Sequence, residues 1–126
     1  MLTKFFSILI CLFLTLGCSS TNATTVGITT ANEVREIAVE ENKIITNYCV
    51  PKYRAAQNLK DVEETDKICL PAKVSYHAVK AAWITLVLVL EKAKISDADY
   101  SAEIQEAAIQ LTQALDNLHQ TLETMK

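Results

Sequence analysis

The chain has 126 residues, half of them hydrophobic, and a net charge of −3. That length suits one domain rather than two, and an acidic balance with no cluster of lysines or arginines argues against a nucleic-acid binder. The only glycines are Gly17 and Gly27. Residues 28–126 therefore lack the Gly-rich loop that cradles phosphate and the Gly-x-Ser-x-Gly turn that exposes a nucleophile.

The N-terminus reads Lys4-Phe5-Phe6-Ser7-Ile8-Leu9-Ile10-Cys11-Leu12-Phe13-Leu14-Thr15-Leu16-Gly17-Cys18. One lysine precedes an apolar run, as in an export leader, and the run is shorter than the roughly 20 apolar residues of a spanning helix. The segment resembles the signal peptide of bacterial lipoproteins, with Leu14-Thr15-Leu16-Gly17-Cys18 as the lipobox and Thr15 where leucine is usual. The resemblance covers the first 20 residues. It implies that residues 1–17 are removed, that the Cys18 thiol is acylated, and that the mature chain hangs from a membrane by that lipid. Ser19, where aspartate would signal retention, resembles an outer-membrane address facing the periplasm. The same residues also fit an ordinary secretory signal cut between Gly17 and Ala23, or an uncut membrane helix. Without Lys4, 11 basic residues face 15 acidic ones, a net charge of −4. With no polybasic patch to grip anionic headgroups, membrane attachment would come from the lipid, which holds firmly once two or more chains are present.

Residues 18–30 are rich in Ser, Thr, Asn and Ala with no apolar period; they read as the lipidated cysteine and a flexible tether. Residues 31–126 form the domain. Ala, Leu, Glu, Lys and Gln dominate it, and these are strong helix formers, so the fold class is all-α. A first helix starts near Thr30 or Asn32, either able to cap, with Glu33, Glu36, Glu40 and Glu41 toward its positive end. Val34, Ile37, Ala38, Ile44, Ile45 and Tyr48 recur at three- and four-residue steps and mark one buried face. Pro51 lacks an amide hydrogen and crowds the preceding turn, which predicts a kink or a break there. The polar stretch Lys60–Lys67 reads as a solvated connector, since it lacks the ligand alternation and glycine of a calcium loop.

Pro71 suits the first turn of a second helix, running to about Lys94. Within it, residues 81–90 are apolar at every position except Thr85. A helix apolar all round must be covered all round. Trp83, Leu86, Leu88 and Leu90 are thus the candidates to meet a partner protein, a second copy, or the Pro51–Leu59 segment folded across them. Ser96-Asp97-Ala98-Asp99 is a helix-start pattern. A third helix follows to about Thr124, with Ile104, Leu111, Leu118 and Met125 seven apart and Ala107, Ala114, Ala108, Leu115 and Leu122 broadening the stripe. The prediction is an up-down-up three-helix bundle about 35–40 Å long.

On the lipoprotein resemblance, of four cysteines Cys11 leaves with the leader and Cys18 takes the lipid. Cys49 and Cys69 remain, and in an oxidising compartment such a pair is expected to form a disulfide. His77 and His119 have no glutamate three residues before them, so the Glu-x-x-His pattern of bundle metal sites is missing; an interhelical hydrogen bond or a solvated ring is the expectation for each. No serine or threonine has a local base beside it. The sequence therefore predicts no catalytic residue, metal or cofactor. It points to a small lipid-anchored envelope protein acting as a non-catalytic helical protein-interaction module through its second helix. A structural envelope spacer and a helical carrier of an apolar small molecule are the alternatives.

Overall fold

The structure, a computed structural model, describes residues 20–125. Three helices carry the chain: α1 from Ser20 to Ala55, α2 from Leu59 to Ile95, and α3 from Ser101 to Leu122, closed by a 3-10 turn Glu123–Met125. They pack pairwise as an up-down-up bundle, as the periodicity predicts. The leader and Cys18 lie outside the described residues.

The helix boundaries differ from the expected ones in three places. First, residues 20–30 form the opening turns of α1, not a flexible tether. Ala23, Gly27, Thr30 and Ala31 are buried, and they lead at three- and four-residue steps into Val34. Small side chains leave no hydrophobic signal, yet they let α1 approach closely. A Cβ placed on Gly27 would stand 2.7 Å from Ile104 Cγ2 and 3.0 Å from Leu90 Cδ2. Second, α1 runs through Pro51 without a break and ends at Ala55. The proline is exposed and sits in the last turns, where the carbonyl it leaves unserved can be hydrated. Third, the stretch Lys60–Lys67 is helical. Asn58 caps α2 by accepting from the Asp61 amide at 3.0 Å, and Asp61 Oδ2 accepts from the Gln57 amide at 3.0 Å. This reciprocal cap starts the helix twelve residues before Pro71, so the true connector is residues 56–58.

Both long helices therefore exceed the third. α1 has 36 residues, α2 37 and α3 only 22, so α1 spans about 54 Å. Ser75 Oγ lies 3.3 Å from Thr121 Oγ1, and Glu41 pairs with His119. In that register α3 ends near Cys49 of α1 and Cys69 of α2, and beyond it the two long helices continue as a hairpin. The Cys49–Cys69 disulfide sits at this point, with its Cα atoms 6.0 Å apart and both residues buried. It joins the bodies of α1 and α2. Closing a loop with a sequence separation of 20 is worth about 3 kcal/mol in the chain-entropy model, and here it replaces the packing a longer third helix would have given.

The tip is tied further by Tyr53, whose hydroxyl donates to Asp66 Oδ1 at 2.5 Å. That hydrogen bond, with burial and the carboxylate's charge, pushes the phenol up to about 12. The neutral phenol is the folded-state form, so this contribution is complete below pH 10 and is lost as pH rises through about 12. At the other end of α2, Asp99 accepts from the Ser101 hydroxyl and amide and opens α3; those bonds hold its carboxyl below the usual range.

The core follows the α3 stripe closely. Ile104, Leu111, Leu115, Leu118 and Leu122 are fully buried, with Ala107, Ala108 and Met125 beside them. Each large aliphatic side chain removed from water contributes about 1.5–3 kcal/mol. Val34, Ile45, Val79, Leu86 and Leu90 meet them from α1 and α2.

Candidate functional site: the outward face of the second helix

α2 carries two apolar seams on opposite sides. The inner one steps through Thr65, Cys69, Ala72, Tyr76, Val79, Trp83, Leu86, Leu90 and Ala93, alternating four and three residues. All of these are buried or partly buried. The outer one steps through Leu70, Val74, His77, Ala81, Ile84, Leu88, Glu91 and Ile95 with the same alternation, and every member is exposed. Leu70 is 49 % exposed, Val74 67 %, Ile84 44 %, Leu88 57 % and Ile95 88 %. Isolated surface leucines need no explanation, but an aligned row of five aliphatic residues does. By length and composition α2 is also long and apolar enough to cross a membrane, and only 17 % of its most apolar 18-residue window is buried.

This arrangement sorts the four residues singled out in the sequence. Leu86 and Leu90 are core and face α1 and α3. Trp83 is half-buried, and its indole N–H donates to the Ala31 carbonyl at 2.9 Å, fastening α2 to α1. Only Leu88 points outward, and three of the four expected contact residues serve the bundle itself. The remaining members of the outer seam escape notice in the sequence because they are spread over 26 positions and interrupted by His77 and Glu91. The Pro51–Leu59 segment does not cover the seam, since it ends α1 and turns into α2.

The rim of the face is basic. Lys73 and Lys80 flank the seam on the α1 side, and Lys67 and Lys92 flank it on the other, while no acidic residue occurs between Asp66 and Glu91. Lys73 lies over the Tyr53 ring at 4.9 Å, and Glu91 is held by Lys94 at 3.0 Å. Beside Lys80, an open groove of about 200 Å³ runs between α1 and α2, lined by Val34, Arg35, Ala38, Val39, Tyr76, Val79 and Trp83.

A second cluster lies inside the bundle. His119 Nδ1 is 3.2 Å from Glu41 Oε1, and its Nε2 is 3.5 Å from Glu123 Oε1. Of the two states expected of it, His119 takes the interhelical hydrogen bond. Glu41 lies fully buried, an unusual place for a glutamate. A carboxylate closed off from solvent joins helices rather than meeting a substrate. His77 stands exposed on the outer seam, its ring 5.9 Å from that of Tyr76. Among the described residues no group of three His, Cys, Asp or Glu side chains could hold a metal ion.

The chain matches no protein-family model, and no similar curated protein or solved structure was found.

Proposed function

We propose that the protein is a small lipid-anchored envelope protein that acts without catalysis, as a helical module making contact with another protein through the outward face of α2. The observation that carries this reading is the outer seam. A chain of this size gains stability by burying its aliphatic side chains, yet this one leaves a row of them on the surface of its most apolar helix while a separate row builds the core. A spacer has no use for such a row. The anchor half of the reading rests on the lipobox-like Leu14–Cys18, and Ser19 favours the outer membrane.

Metabolic labelling with a fatty acid tests the anchor. Wild-type protein takes up label, and Cys18→Ser does not; label that persists in the variant removes the lipoprotein reading. The contact face is tested by Leu88→Glu, which leaves the fold intact while abolishing recovery in assemblies from the native envelope. Unchanged assembly refutes the α2 face.

A further inference from the structure

We infer that the occupant of the outer α2 seam is the same seam of a second copy, paired parallel and in register across a two-fold axis. The inference rests on the proposed contact role of α2 and names the partner.

The alternating four–three spacing from Leu70 to Ile95 is the spacing at which one helix meets another along a coiled-coil line. Val74, Ala81, Leu88 and Ile95 occupy one set of core positions, and Leu70, His77, Ile84 and Glu91 the other. The line runs about 38 Å. Its five exposed aliphatic residues leave roughly 500 Å² of surface per copy, so pairing two copies removes on the order of 1,000 Å², the size at which specific interfaces begin.

The proposed anchor decides the orientation. In parallel pairing, the flanking residue before each core step meets the partner residue five positions on. Lys73 then faces Ala78, Lys80 faces Thr85, and Val87 faces Lys92, so the lysines flanking the Leu70–Ile95 line do not oppose one another. Glu91 meets Glu91 of the second copy in this pairing, and the Lys94 ammonium 3.0 Å from each carboxylate offsets their repulsion. Antiparallel pairing about Ala81 and Ile84 instead sets Lys73 against Lys94 and Val74 against Glu91. On the proposed lipid anchor, copies held by the same end in one membrane present α2 in parallel. Confinement to a surface also raises their effective concentration.

Leu88→Cys in the full-length protein, expressed in its membrane, tests the pairing. Residues facing each other across the axis approach within the roughly 4.4–6.8 Å Cα separation a disulfide needs, so mild oxidation yields a disulfide-linked dimer. Gln113→Cys, on the exposed side of α3, serves as the control and stays monomeric. Leu88→Glu weakens self-association by at least about 100-fold, since it replaces a central aliphatic contact of the seam with a second pair of opposed carboxylates beside Glu91, and at concentrations where both proteins are monomeric its thermal melt matches the wild type. Failure of Leu88→Cys to cross-link, equal cross-linking of Gln113→Cys, or protection of position 88 only when vesicles are added to monomeric protein would each overturn the inference; the last would give the face to the bilayer. Repeating the cross-link in Cys18→Ser separates the two readings. A dimer that forms there only at higher concentration keeps the seam and assigns the anchor a concentrating role. Fatty-acid labelling reports on the anchor whatever the seam does.

Discussion

Glu41 occupies the step of the α1 stripe where Val34, Ile37, Ala38 and Ile45 lead one to expect another aliphatic side chain. It is fully buried, and His119 reaches it across the bundle at 3.2 Å. A buried carboxyl group costs stability unless it is hydrogen-bonded. His119→Ala removes the imidazole that hydrogen-bonds Glu41 and is expected to cost about 1–3 kcal/mol. Replacing the pair together, as Glu41→Leu with His119→Leu, removes the charge with its partner and is expected to be neutral or stabilising. Urea unfolding of the two single variants and the double variant gives the coupling directly. A loss below about 1 kcal/mol in His119→Ala would mean that the pair is incidental, no better than an exposed one. The gap at position 41 is visible in the sequence, where a polar residue fills an otherwise apolar stripe. What the sequence does not show is which residue on another helix answers it, because that depends on the register of α1 against α3.

Gly27 sets how closely the first turns of α1 approach the other two helices. With Ile104 Cγ2 and Leu90 Cδ2 at 2.7 and 3.0 Å from its would-be Cβ, Gly27→Leu is expected to cost at least about 1–3 kcal/mol by overpacking. The cost falls locally. Amide hydrogen exchange in residues 20–30 should accelerate while protection around Leu111 and Leu115 holds, as expected of a separately opening segment. Uniform loss of protection would show that these turns are not separable from the core. This element also shows where sequence reading succeeds. The α3 stripe was legible because its buried residues are leucine, isoleucine and methionine at helical steps. The start of α1 was not, since Ala23, Gly27, Thr30 and Ala31 pack through smallness, which resembles linker composition. The start of α2 was hidden for a similar reason. Its Asn58–Asp61 cap precedes a charged stretch rather than an apolar run, and Pro71 offers a more conspicuous but false boundary.

At the scale of the whole molecule, α2 holds two jobs on one helix, core on one side and an open seam on the other. Part of this was readable from geometry alone: Leu86, Leu88 and Leu90 point about 200° apart in successive pairs, so they cannot share a face. Which of them turns outward could not be read, because the 81–90 run is apolar on nearly every side and its orientation is fixed by α1 and α3. The structure settles it, burying Leu86 and Leu90 and exposing Leu88. Alanine substitution should therefore separate folding from assembly within five residues of one helix. Leu86→Ala and Leu90→Ala leave cavities against Gly27 and its neighbours and are expected to cost about 2–5 kcal/mol each. Leu88→Ala removes only side chain exposed in the monomer, and under monomeric conditions its unfolding free energy should change by no more than about 0.5 kcal/mol. Size exclusion should show the opposite order, with Leu88→Ala losing self-association while the two core variants keep it at temperatures where they remain folded. Three equally destabilised variants with no change in assembly would mean that the outer row is not a contact surface. A Leu88→Ala variant that is fully stable and no longer assembles would place the working surface of the molecule on the side of α2 turned away from its own core.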